Sequence, residues 1–179
     1  MIRITGGNNR SRKLETPDVT TTKPTMDKVR AAVFNILSED IKGKKVLDLF
    51  AGSGSYGFEA LSRGASEVTF VDNNKEAINV IKKNASILKE ENVSIINSDV
   101  ESFLKSSNDK FDIVFMDPPY KLEIYEKTVE LLEKNEFLQP FSIVVLESDK
   151  KLNISETSYR KLKTYKYGLA RIYVLRYQC

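Results

Sequence analysis

Histidine and tryptophan are absent from this 179-residue chain, and its single cysteine, Cys179, is the last residue. Without histidine and with one thiol, the usual zinc-ligand sets cannot be assembled, nor can Ser-His or Cys-His nucleophile pairs. One cysteine excludes an intrachain disulfide and fits a reducing compartment. No apolar run approaches the roughly 20 residues of a membrane span, and the opening Met1-Ile2-Arg3-Ile4-Thr5 lacks the apolar core of a signal peptide. A cytoplasmic chain working without metal or membrane is expected. Proline is scarce, at five residues, yet two of them are adjacent at Pro118-Pro119. Chemistry here must fall to carboxylates, backbone groups and a bound cofactor.

The length suits one domain with a substantial core. The net charge of +3 conceals an asymmetry. Residues 1–45 hold ten Lys/Arg against five Asp/Glu, residues 150–179 eight against one, and the stretch between them ten against nineteen. Basic ends around an acidic body suggest a polyanion gripped at the margins of an acidic site. In the N-terminal arm, Arg10, Arg12, Lys13 and Lys23 lack interleaved aromatics, which points to phosphate contacts rather than base stacking. The C-terminal tyrosines Tyr159, Tyr165, Tyr167, Tyr173 and Tyr177 are explained by strand propensity.

Residues 1–25 show no sustained period and read as an irregular arm with one short strand or hairpin. Asp27 to Leu37 then places Val29, Ala32, Val33, Ile36 and Leu37 at helical spacing. From Val46 strands and helices alternate. The strand candidates Val46–Phe50, Val68–Val71, Val93–Ile96, Phe111–Met116 and Ser142–Leu146 are short and nearly all apolar, as strands buried on both faces should be. Helical stretches lie near Tyr56–Arg63, Lys75–Lys89, Val100–Lys105 and Ile124–Lys134. This pattern predicts an α/β, doubly wound, Rossmann-like and mostly parallel sheet. Lys161–Tyr167 and Arg171–Tyr177, separated by Gly168-Leu169-Ala170, add a terminal antiparallel hairpin.

Three constellations carry chemistry. Gly52-Ser53-Gly54-Ser55-Tyr56-Gly57 matches G-x-G-x-x-G between a strand and a helix, and Asp72 closes the next strand, where it can accept both ribose hydroxyls. Asp48, inside the first strand, occupies a place that dinucleotide folds keep apolar. A buried carboxylate there is costly unless paired, and a sulfonium cofactor with a cationic amino-acid end gives it a reason; bracing the glycine loop is the alternative. Asp99, after the third strand, either accepts from an adenine amine or caps the next helix. Asp117-Pro118-Pro119-Tyr120 follows the fourth strand at the expected switch point. An exocyclic amine is a poor nucleophile because its lone pair is delocalised. Acceptors at Asp117 and a backbone carbonyl of the Pro pair would favour the pyramidal nitrogen of methyl transfer, while Tyr120 stacks on an extruded base.

These residues resemble the bacterial 16S rRNA guanine-N2 methyltransferases of the small-subunit (guanine 966) class, within the S-adenosylmethionine-dependent Rossmann-like superfamily. The resemblance runs through Ile4-Thr5-Gly6-Gly7, Arg10-Ser11-Arg12-Lys13-Leu14, Lys23-Pro24-Thr25-Met26-Asp27-Lys28-Val29-Arg30 with Phe34-Asn35, Leu47 to Gly54, Glu59 to Ala65, and Asp117 to Tyr120. It implies a seven-stranded sheet with its last strand antiparallel, residues 1–40 as an arm and helix of the same unit, and residues 41–179 as the methyltransferase domain. It implies S-adenosylmethionine contacts at Asp48, Phe50, Ala51, Gly52, Gly54, Asp72, Asn73, Asp99, Val100 and Asp117. Amine recognition falls to Asp117, Pro118, Pro119 and Tyr120, and Thr25, Asp27 and Arg30 help shape the pocket. The implied partner is small-subunit rRNA or a 30S assembly intermediate, bound by a monomer. The chain departs from the family pattern at Ser11, Lys23 and Met26, and Ser55-Tyr56 replaces a small-apolar pair. The competing readings are an adenine-N6 methyltransferase of DNA or RNA, since Pro-Pro does not distinguish amines, and a non-catalytic nucleotide-binding module, which leaves Asp117 to Tyr120 unexplained.

Overall fold

Five apolar runs form five parallel strands in the computed structural model, which describes residues 2–17, 24–119 and 122–178. Along the chain come β1 (Ile2–Arg3), β2 (Lys13–Leu14), α1 (Pro24–Leu37), a 3-10 turn (Ser38–Ile41), β3 (Lys45–Leu49), α2 (Ser55–Ser62), β4 (Glu67–Asp72) and α3 (Lys75–Leu88). They are followed by β5 (Val93–Asn97), α4 (Val100–Ser106), β6 (Phe111–Met116), α5 (Leu122–Lys134), β7 (Leu138–Ser148), β8 (Arg160–Tyr167) and β9 (Ala170–Tyr177). The seven-stranded sheet has the order β5-β4-β3-β6-β7-β9-β8, with β9 antiparallel to both of its neighbours. The chain therefore winds outward from β3 to β5, crosses over to β6, and winds the other way. Between β3 and β6 lies the switch point, where loops leaving the strand ends diverge and open a crevice.

Strand alternation divides the core in two. Val46, Val68, Phe70, Ile113, Phe115, Ile143 and Val145 pack under α1, α2 and α3. Leu47, Leu49, Val71, Val114, Met116, Val144 and Leu146 pack under α4 and α5. Among the described residues, no helix is long and apolar enough to cross a membrane.

The arm is more ordered than its composition suggests. β1 and β2 pair antiparallel, and Ile2, Ile4 and Leu14 are buried in the same core as α1 and α2. Helix α1 begins at Pro24, earlier than the Asp27 start expected from spacing, because proline at the first turn sacrifices no hydrogen bond. Strand β7 also exceeds its expected Ser142–Leu146 span. Its first residues, Leu138 to Phe141, bulge against β6: Phe111 pairs with Leu138 but Ile113 pairs with Ile143. Phe141 there sits exposed at φ 62°. At the other end of the sheet, β8 is an edge strand whose Lys161, Lys163 and Lys166 are all exposed.

One glycine is required by packing. A Cβ on Gly57 would stand 2.2 Å from Phe70 Cε1 and 2.8 Å from Val68 Cγ1. The third glycine of the motif thus lets α2 lie directly on β4. Gly57→Ala should destabilise the protein by about 1–3 kcal/mol through overpacking, read as a lowered midpoint in urea unfolding. A midpoint equal to wild type would show that the helix can lift from the strand without loss.

Candidate active site

The carboxyl ends of β4, β3, β6 and β7 meet at the switch point, and each brings a carboxylate. Asp48 is buried within β3, and its Oδ2 accepts the Gly57 N–H at 2.9 Å. Burial, and secondarily the charge of Asp72, push its carboxyl up to about 8, with the Gly57 bond pulling the other way. Asp48 therefore does brace the glycine loop, as one sequence reading held, but no donor among the described residues meets its Oδ1. A carboxylate this poorly solvated favours a cationic ligand.

Between Asp48 and α2 the backbone turns three times through the left-handed region, at Phe50 (φ 58°), Gly52 (φ 56°) and Gly54 (φ 76°). Phe50 is half-buried and Ala51 buried, so the loop is anchored from beneath. On Gly52 a Cβ would meet nothing within 4 Å, so this turn borders open space. Its N–H donates to Asp72 Oδ2 at 2.9 Å, and Asp72 Oδ1 accepts the Asn74 N–H at 2.8 Å. Asp72 is thereby held on the rim of the crevice beside exposed Asn73. Across from it, Asp99 caps α4 by accepting the Ser102 N–H at 2.9 Å, and Val100 is buried behind it. The Ser102 side chain, and then its backbone N–H and the neighbouring amides, hold the Asp99 carboxyl below its ordinary range.

Asp117 follows β6 directly. It is open to solvent although protein surrounds it on most sides, the situation of a group on the floor of a cleft. This recessed setting, and then the charges of Glu147, Asp48 and Asp149, raise its carboxyl well above the ordinary range. Pro118 is buried and Pro119 exposed, and Tyr120 lies outside the described residues.

The residues expected at the substrate side divide. Arg10, Arg12 and Lys13 are exposed at the β1–β2 hairpin, although Arg12 Nη2 also donates to the Ile87 carbonyl at 2.6 Å. Lys23 is outside the described residues, and of Thr25 only the helical backbone is described. Arg30 does not reach outward as an RNA contact would. It is 2% exposed, and its guanidinium donates to Glu59 at 3.3 Å, to Asp27 at 3.0 Å and to the Arg3 carbonyl. Its positive field nevertheless reaches the cleft, where it offsets the burial of Glu147.

Two participants escaped sequence reasoning. Tyr56 on α2 stacks on Phe115 with ring centroids 5.0 Å apart and donates its hydroxyl to Glu147 Oε2. Glu147, at the end of β7, has a carboxyl raised chiefly by burial. The available signal was a carboxylate closing the apolar run Ile143 to Leu146 at a strand's carboxyl end. No cluster of three or more His, Cys, Asp or Glu side chains suited to a metal occurs among the described residues.

The family model described as conserved hypothetical protein 95 matches residues 2–176. Ribosomal RNA small subunit methyltransferase D of Escherichia coli is 40% identical over 148 residues, which cover 83% of this chain and 75% of that relative. The solved structure of the Escherichia coli protein yhhF matches with TM-score 0.89 at 34% identity, over 99% of this chain and 98% of that one. A Thermus thermophilus 16S rRNA N2 methyltransferase, solved with AdoMet and guanosine, matches with TM-score 0.74 at 21% identity over 92% of this chain and 45% of that one. This last likeness is one of fold.

The raised carboxyl of Asp48 has a signature in stability. An acid that holds its proton more tightly when folded stabilises the fold fully below its unfolded pKa, near 4, and loses that contribution as pH rises through about 8. Asn at this position keeps an acceptor for Gly57 without the titration. Between pH 4 and 8, wild type should lose stability relative to Asp48→Asn by up to about 1.4 kcal/mol per pH unit, measured by urea unfolding. Parallel pH profiles would contradict it.

Proposed function

Because the chain belongs to the conserved hypothetical protein 95 family, we propose that it transfers a methyl group from S-adenosylmethionine to the exocyclic N2 amine of a guanine in small-subunit rRNA. The observation that carries this reading is one of placement. The glycine loop with Asp48 and the Asp-Pro-Pro segment leave neighbouring strands at the switch point, and Asp48 pairs with Phe115, two residues before Asp117. A cofactor site and an amine site so placed share one crevice. The named activity of the 40% identical relative supports the same reading.

The residues present suit the cofactor. The open side of Gly52 leaves room for a ligand against the loop backbone. Asp48 would meet its cationic amino-acid end, Asp72 its ribose, and Asp99 with Val100 its adenine. When bound, S-adenosylmethionine supplies a methyl group on a positively charged sulfur.

The remaining work belongs to this chain. Asp117 accepts an N–H of the guanine amine and so favours the pyramidal nitrogen on which the new bond forms. That bond strengthens as charge develops, which is the condition for lowering a barrier rather than merely binding substrate. A carboxyl with raised proton affinity also suits the proton that nitrogen must shed. The Pro pair fixes φ beside it and limits the entropy of holding the acceptor in place. Outside the crevice, the exposed Arg10, Arg12 and Lys13 hold phosphates of the RNA, either in free 16S rRNA or in an assembling small subunit. The enzyme acts as a monomer in the cytoplasm.

Asp117→Ala should lower kcat on the order of 100-fold or more, by analogy with the loss of one preorganised hydrogen-bonding group. Calorimetric affinity for S-adenosylhomocysteine should change little. Asp117→Asn keeps one acceptor oxygen and should retain part of the activity. Wild-type turnover by the alanine variant would remove Asp117 from the chemistry. Replacing Arg10, Arg12 and Lys13 together should flatten the logarithmic salt dependence of RNA affinity by about 2. An unchanged slope in a filter-binding titration would take the hairpin out of the RNA interface.

A further inference from the structure

Glu147 occupies a position that the methyl-transfer reading leaves without a task. In the parallel pair β6–β7, Met116 is opposite Leu146, so the next residues, Asp117 and Glu147, stand side by side on adjacent strands. Their charges act on one another, and both act on the Tyr56 hydroxyl.

Glu147 is held from two sides. Tyr56 donates its hydroxyl to Glu147 Oε2, and the tyrosine ring packs against Phe115 and Phe34, with centroids 5.0 and 6.1 Å away, in a cluster where the two phenylalanines also touch each other. The Tyr125 hydroxyl donates to the Glu147 backbone carbonyl at 2.5 Å. A part-buried hydroxyl–carboxylate pair is a poor choice for stability alone, since two apolar groups of the same shape serve about as well. Oriented through Oε2, the carboxylate has Oε1 left, with no donor to it among the described residues.

The chemistry of the base supplies a use for that oxygen. Guanine presents two kinds of donor along this edge, N1–H and the N2 amine. Adenine presents an acceptor at N1 beside its amine. Two adjacent carboxylates match the first pattern and repel the second.

Resting on the N2-methylation reading, we propose that Glu147 selects guanine: its Oε1 accepts the base N1–H while Asp117 accepts an N2–H, and Tyr56 is the positioning residue that sets the carboxylate. Burial raises the Glu147 carboxyl, while the Tyr56 hydrogen bond and then the Arg30 field act the other way, toward the ionised, accepting form.

The deciding probe is 2-aminopurine, which keeps the N2 amine but has an acceptor at N1. The methylated guanine, located by mass mapping, is replaced with 2-aminopurine in 16S rRNA reconstituted into small-subunit particles. Wild type should favour guanine over 2-aminopurine by about 100-fold or more in kcat/KM, as sites built to bond a donor reject its absence. In Glu147→Gln the Tyr56 hydroxyl holds the amide oxygen and the NH2 turns to N1, so the preference should collapse or invert. Tyr56→Phe should weaken it by about tenfold. Affinity for S-adenosylhomocysteine, measured by calorimetry, should stay within about twofold in both variants. Equal wild-type use of the two bases overturns the proposal, as does a Glu147→Gln enzyme that slows on both by the same factor. If wild type methylates no guanine, the N2 reading itself fails. Calorimetry with guanosine and 2-aminopurine riboside, in the presence of S-adenosylhomocysteine, then tests recognition separately: a guanosine preference lost in Glu147→Gln upholds it, and equal binding rejects it.

Discussion

Glu59 is wholly buried on the helix that follows the glycine loop, and much of the molecule is tied to it. Its Oε1 accepts the Thr5 hydroxyl at 2.6 Å and Arg63 Nε at 2.9 Å. Its Oε2 accepts the Thr5 backbone N–H at 2.8 Å and Arg30 Nε at 3.3 Å. One carboxylate thus joins the N-terminal hairpin, α1 and α2. A charge taken fully out of water is tolerated only when its lone pairs are filled this completely, and removing one partner of such a group costs about 3–5 kcal/mol. The hairpin that carries the exposed cations is therefore fastened to the helix that follows the glycine loop. Ser62 adds to the join by accepting the Asn9 N–H, and Asn84 bridges the carbonyls of Glu15 and Ser53.

The crevice has the opposite electrostatic character. Glu59 is neutralised by its neighbours, whereas Asp48, Asp117 and Glu147 raise one another's proton affinity or are raised by burial. They stand on, or directly after, three adjacent strands, β3, β6 and β7. The arrangement gathers carboxyl groups whose proton affinity is raised, and preorganised polar groups of this kind act without rearrangement during reaction. The aromatic trio Phe34, Tyr56 and Phe115 walls off the side of this crevice nearest α1.

Much of this was legible from residues. Strands such as Phe111–Met116 announce themselves because burial on both faces leaves no room for polar alternation, and the observed span is the expected one. The placement of the glycine motif, Asp72 and Asp117 at strand ends was legible because each follows or closes an apolar, strand-like run. What stayed hidden depends on partners distant in sequence. Glu59 looks like a solvated helix residue until Thr5, 54 positions away, is folded onto it. Tyr56 looks like an oddity in a small-residue turn until β7 brings Glu147 across, 91 positions away. The early part of β7 was missed because Pro140 and the left-handed Phe141 interrupt its pattern, and only pairing with β6 restores it. Arg30 was expected to help shape the pocket, and nothing local reveals that three acceptors surround it instead.

The outer strand β8 carries a further meaning. An open sheet ends in a row of backbone donors and acceptors that another strand could extend, and proteins commonly guard such borders with lysine. Lys161, Lys163 and Lys166 place three exposed ammonium groups along this border. A second copy approaching edge to edge would bring the same three charges against them. The basic carboxyl-terminal segment thus acts as a guard against fibre-like stacking of the sheet, whatever else its charge attracts.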